Sequence, residues 1–157
     1  MEFIADNMLG KLAKWLRVMG YDVHYQSRYK HLQIERLVQE GRLLLSRHRK
    51  LIDLYPGAIY IASDHVRDQL QELRRGGHLK SDPPKWFTRC LICNAPLKKA
   101  DPLTARENVP EYVFCQNPEG IRYCPSCTRY FWPGTHRQRM VRLLSTWGWT
   151  LPQKERA

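Results

Sequence analysis

Along the first 80 residues, short apolar runs alternate with stretches whose apolar residues recur at helical spacing. Phe3-Ile4-Ala5 is a short run bounded by charge, and Met8, Leu9, Leu12, Trp15, Leu16 and Met19 then share one face of a helix that Gly20 ends. Asp22-Val23-His24-Tyr25 reads as a second strand. Ile34, Leu37 and Val38 mark a second helical stripe closed by Gly41, and Arg42-Leu43-Leu44-Leu45 is a continuous run of the kind a parallel sheet buries on both faces. Ala58-Ile59-Tyr60-Ile61-Ala62 repeats that run, after which Val66, Leu70 and Leu73 set a helix ending at Gly76-Gly77.

Four strands, each followed by a helix, predict an α/β domain over residues 1–80: a small parallel sheet in three layers with right-handed crossovers. Ligands of such sheets bind past the carboxyl ends of the strands. Here those positions hold Asp6, Ser46-Arg47-His48 and Ser63-Asp64-His65.

The pattern changes near residue 80. Ser81-Asp82-Pro83-Pro84 reads as a linker, and the chain then becomes rich in Pro, Cys and aromatics, with no long periodic element until Pro133 to Trp147. A second domain with a C-terminal helix is therefore expected over residues 85–150.

Composition narrows the function classes. The 157 residues are 43% hydrophobic, too apolar for a disordered basic tail, and they carry 26 Lys+Arg against 15 Asp+Glu, a formal +11. That excess favours a polyanionic partner, nucleic acid before a membrane surface, because cations gain counterion-release free energy on phosphate. Residues 1–79 carry 13 basic and 9 acidic side chains (+4) and residues 80–157 carry 13 and 6 (+7). No apolar run approaches the ~18–20 residues of a membrane span, and no basic segment followed by an apolar leader opens the chain, so the cytoplasm is the expected location.

Four of the five cysteines form two CxxC pairs, Cys90-Leu91-Ile92-Cys93 and Cys124-Pro125-Ser126-Cys127, with 30 residues between them. A two-residue spacer lets both thiolates of a tight turn reach one ion, and two such knuckles complete a tetrahedral shell. A redox dithiol needs only one CxxC, and zinc is expected ahead of an iron–sulfur cluster. Four soft ligands leave no open coordination position, so this zinc is structural: it organises a binding surface and contributes folding free energy. Cys115 is left over as a small packed or partly exposed residue.

Asp6 is the first candidate for catalysis. A carboxylate at a strand end, joined by others, can hold Mg²⁺ or Mn²⁺ for phosphodiester hydrolysis; the same residue before Asn7-Met8-Leu9 also reads as a helix cap. Lys11, Lys14 and Arg17 recur at three-residue spacing on the polar side of the first helix, and Arg47, Arg49 and Lys50 cluster beside the sheet edge. In the second half, Arg129, Arg137 and Arg139 are candidates for phosphate contact, while Tyr130 and Trp132 are assigned to the core of the small second domain. Trp147 and Trp149 are read as packing the last helix onto the body. A DNA-binding zinc protein would need a recognition-helix signature, and the sequence shows none.

Phe3-Ile4-Ala5-Asp6-Asn7-Met8-Leu9-Gly10-Lys11-Leu12-Ala13-Lys14-Trp15-Leu16-Arg17, Met19-Gly20-Tyr21-Asp22, Gly41-Arg42-Leu43-Leu44-Leu45-Ser46-Arg47, Arg89-Cys90-Leu91-Ile92-Cys93-Asn94 and Tyr123-Cys124-Pro125-Ser126-Cys127 together resemble the Mut7-C family, over about residues 2–147. The resemblance implies a PIN-like ribonuclease domain with a C-terminal zinc ribbon, RNA as substrate class and partner, and Asp6 as a metal-site carboxylate for Mg²⁺ or Mn²⁺. The family pattern has Thr-Arg-Asp after the third strand, where this chain has Ser46-Arg47-His48. The implied catalytic set becomes Asp6 with Glu35 and Asp64, and His48 stands in the place of an acid, as a softer ligand or a general acid or base. The alternative is a catalytically degenerate module that binds RNA or a ribonucleoprotein.

Overall fold

The structure is a computed structural model that describes residues 1–149. The chain divides into two compact units, Met1–Asn94 and Ala95–Ala157.

The first unit is an α/β domain. Strands β1 (Glu2–Ala5), β2 (Asp22–Tyr25), β3 (Leu43–Ser46) and β4 (Ile59–Tyr60) form a parallel sheet in the order β2-β1-β3-β4. Helices α1 (Gly10–Val18), α2 (His31–Gln39), α3 (Arg49–Leu54) and α4 (Val66–Arg75) each follow a strand. Side chains alternate between the faces of a strand, so the registered pair Ile4 and Leu44 points one way, into a core with Ile34, Leu37 and Tyr55. Phe3 and Ala5 point the other way, towards α1, which packs on α4. Layers on both sides bury β1 and β3, which accounts for their unbroken apolar runs.

Two elements depart most from the periodicity, while β1 and β3 shift by one residue. The first helix starts at Gly10 rather than Met8, because the Asp6 carboxylate accepts the Met8 N–H and winds Asn7–Leu9 into a 3-10 turn. Strand β4 keeps only two of its five predicted residues, having a single neighbour to pair with.

The second unit holds an antiparallel sheet, order β5-β6-β7, made of β5 (Lys98–Lys99), β6 (Arg122–Tyr123) and β7 (Tyr130–Phe131). Helices α5 (Pro102–Asn108) and α6 (Glu111–Gln116) lie between β5 and β6, and α7 (Thr135–Thr146) follows β7. Ala100, Ala105, Val109, Val113 and Ile121 form the core, with Phe114, Tyr123, Tyr130 and Trp132 packed against it. Tyr130 and Trp132 therefore serve the core, as expected. Neither α5 nor α6 is long enough to show a helical stripe. The start of α5 was nonetheless written as a cap: Asp101 accepts the Thr104 N–H at 3.0 Å, and Pro102 fills the first turn. Among the described residues no helix is long and apolar enough to cross a membrane.

Candidate functional site

At the carboxyl edge of the first sheet, Asp6 leaves β1 beside the end of β3, to which its own N–H is bonded through Leu45 O at 3.1 Å. Asp6 is buried, 3% exposed. One carboxylate oxygen accepts the Met8 N–H at 2.9 Å; the other accepts the Ser46 hydroxyl and, at 3.1 Å, the Arg47 N–H. Ser46 Oγ in turn accepts the His48 N–H at 2.9 Å. A buried acid thus fixes the backbone of the Ser46-Arg47-His48 step, and three donors compensate the cost of burying its charge.

The Asp64 side chain is 76% exposed and is paired with the guanidinium of Arg47. The same guanidinium reaches Ala62 O at 3.5 Å, while its Nε is buried without a hydrogen-bond partner. The loop carrying Asp64 is held from behind by Glu72, whose carboxylate accepts the Ala62 and Ser63 N–H groups at 3.0 and 2.8 Å. Burial works to raise the Glu72 carboxyl, but these bonds and the Ser63 hydroxyl outweigh it and leave it below its ordinary value. His48 is exposed at the start of α3. Glu35 is half-buried on α2, close enough to Tyr55 for its charge to add to burial in raising that phenol, which meets His31 Nδ1 at 3.2 Å.

These placements test the site for a divalent cation. Mg²⁺ and Mn²⁺ need several hard oxygens converging on one point. Both Asp6 oxygens already accept hydrogen bonds, Asp64 is neutralised by Arg47, and position 48 offers imidazole. Among the described residues the only group of three or more His, Cys, Asp or Glu ligand atoms within 4.8 Å of one another is the cysteine set. Asp6, Glu35, His48 and Asp64 in this arrangement do not fit such an ion.

The cysteine set does fit one. The ligand atoms of Cys90, Cys93, Cys124 and Cys127 all lie within 4.8 Å of one another. The two CxxC turns share a geometry: the Cys93 N–H points to Cys90 Sγ and the Cys127 N–H to Cys124 Sγ, each at 3.5 Å. Asn94 and Thr128, directly after the turns, have positive φ of 71° and 58°. Four thiolates with N–H···S support are the donor set of a structural zinc ion.

Of the basic residues predicted to face phosphate, Lys11, Lys14, Arg49, Arg129 and Arg139 are exposed, and Arg47 is partly so. Arg49 lies over the Tyr60 ring, 4.4 Å from its centroid. Arg137 is half-buried; burial lowers its guanidinium, and the nearby charge of Arg122 adds to this. Arg17 departs from its predicted place on the polar face. It is 4% exposed, and its guanidinium donates to Val23 O at 2.8 and 3.2 Å, Leu91 O at 3.2 Å and Ile92 O at 2.9 Å. The three-residue spacing with Lys11 and Lys14 concealed this, because a three-residue step advances about 300° and each repeat drifts towards the buried stripe.

Sequence reasoning also passed over Asn94. Its amide accepts the Val23 N–H at 3.0 Å and donates to Asp22 at 2.9 Å. Its place directly after a CxxC was the available signal. The model of the Mut7-C RNAse domain family matches residues 1–144 of the chain. No curated protein and no solved structure matches it.

Proposed function

Because the chain belongs to the Mut7-C RNAse domain family, we propose that it is an RNA-processing protein of ribonuclease type, working at the carboxyl edge of the four-stranded sheet. The observation that carries this reading is the hydrogen-bonded unit of Asp6, Ser46, Arg47 and His48, which holds an arginine and an exposed imidazole on one rigid turn. In this reading the exposed Arg49 and Lys50 hold the RNA backbone, with Lys11 and Lys14 extending the track. Asp6 does not touch RNA; it orients the turn. His48 moves the proton, since an exposed imidazole carries both a donor and an acceptor nitrogen. Zinc held by the four cysteines would fix both CxxC turns, and in the second unit the exposed Arg129 and Arg139 add phosphate contacts together with the half-buried Arg137.

The Arg47–Asp64 ion pair favours a second reading, RNA binding without cleavage, because it occupies one of the carboxylates expected to assist Asp6. One experiment separates the two. Zinc-loaded protein is incubated with structured RNA, with and without added Mg²⁺ or Mn²⁺, and products are resolved on a gel. The catalytic reading expects cleavage that Asp6→Asn and His48→Ala each abolish without weakening RNA binding; unchanged cleavage in both variants overturns it. The binding reading expects no cleavage by the native chain and a gain of cleavage in His48→Asp.

A further inference from the structure

Tyr60 belongs to none of the groups assigned so far. It ends β4, the outer strand of the sheet, so no further strand covers it among the described residues, and it is half-buried. Its parallel partner in register is Ser46, the residue whose hydroxyl binds Asp6. Registered residues of a parallel pair project to the same face, and neighbouring strands lie about 4.8 Å apart. The phenol ring therefore stands one strand away from the Asp6-Ser46 unit, on the same face. The exposed guanidinium of Arg49 covers it at 4.4 Å.

We propose that Tyr60 is a nucleobase platform, with Arg49 as its lid in the free protein and its phosphate anchor in the complex. This rests on the RNA reading and narrows its substrate to single-stranded RNA, since a base inside a duplex has no free face to offer. A π-face of fixed position accepts any base, and the guanidinium that covers it before binding is a planar cation able to stack beside the base or turn to the adjoining phosphate. Arg49 can leave the ring at little cost because its side chain is exposed. Arg47, beside it, is anchored through its backbone to Asp6 and through its side chain to Asp64. The platform thus assigns one side chain to the base and leaves the arginines for the backbone, a division that gives affinity for single strands without sequence readout.

The test uses the zinc-loaded full chain and fluorescence anisotropy with three probes: an oligouridylate of about twelve nucleotides, a ribose-phosphate oligomer of equal charge lacking bases, and a blunt RNA duplex. Tyr60→Leu is expected to lose about 5- to 100-fold in affinity for oligouridylate, the loss of one stacked base, and to leave the other two probes unchanged. Tyr60→Phe keeps the π-face and is expected to bind as the native chain does, which also controls for folding. Arg49→Gln is expected to weaken oligouridylate and the baseless oligomer alike. Unchanged oligouridylate binding by Tyr60→Leu, or an equal loss on the baseless oligomer, overturns the platform while leaving the RNA reading intact. Failure of the native chain to bind any of the three RNA probes overturns both.

Discussion

The guanidinium of Arg17 donates to the carbonyl of Ile92 at 2.9 Å, joining residues 75 positions apart in the chain. Arg17 lies on the helix that follows Asp6, and Ile92 lies inside the first CxxC turn. The same side chain holds Val23 O, and Asn94 takes the Val23 N–H, so the outer edge of β2 is capped on both its donor and its acceptor. An open strand edge invites pairing with other chains, and this one is closed by the turn that also carries two of the four clustered cysteines.

Replacing Arg17 with Met leaves three carbonyls without their donor. Stability should fall by about 2–4 kcal/mol in urea unfolding, and Arg17→Lys should recover only part of it, because an ammonium cannot reproduce the guanidinium fork. An Arg17→Met chain as stable as the native one would show that the knuckle does not bear on the sheet.

Zinc should therefore be felt inside the sheet domain. Elemental analysis is expected to give one zinc per chain, and chelation should raise the hydrogen-exchange rate of the Val23 amide, whose acceptor Asn94 directly follows Cys93. Protection at Val23 that survives complete zinc removal would refute this coupling.

Gly20→Ala should be among the most damaging single-methyl changes in the first unit. Gly20 has φ +87°, and a Cβ there would sit 2.3 Å from Lys85 O, a backbone atom that cannot swing aside. The left-handed backbone alone costs about 1–2 kcal/mol, so a loss of 2–4 kcal/mol in a denaturant melt is expected. Gly41→Ala, with φ +91° and open space around it, should lose only the backbone part.

Stability should also decline on mild acidification through His24. Burial, with the charges of Arg42, Arg17 and Arg36, lowers its imidazole, whose Nδ1 meets the Tyr29 hydroxyl at 2.9 Å. A folded-state value below the unfolded one near 6.5 means that the unfolded chain binds the proton more readily. The contribution is complete above about pH 6.5 and is lost as pH falls through the lowered folded value. Melting temperatures of the native chain and His24→Gln should differ in slope across that window; parallel curves would exclude His24 as the cause.

How far the fold could be read in advance depended on how local each cause was. The four strands and the helices after β1, β2 and β4 announce themselves through periodicity, and the cysteine set through spacing, because those signals sit within a few residues of one another. Asp6 was readable both as a cap and as a site acid, and the structure uses it to bind Met8 and the β3 turn together. Tyr60 looked like one more apolar strand residue, since its meaning comes from being opposite Ser46. Arg17 looked like the neighbours of Lys11 and Lys14, since nothing near it in the chain reveals that carbonyls 74 and 75 positions away need a donor.

The sequence by itself determined the parallel order of strand and helix, the excess of cations, the paired spacing of the cysteines and the histidine at position 48. These are properties of residue type and spacing. Only the tertiary structure decided which charges remain available to a partner. Burial turned Arg17 inward onto carbonyls, ion pairing tied Asp64 to Arg47, and strand register set Tyr60 beside the Asp6 unit under Arg49. A charge can act on a ligand only where folding leaves it neither neutralised nor enclosed, and that is settled by contacts between distant segments.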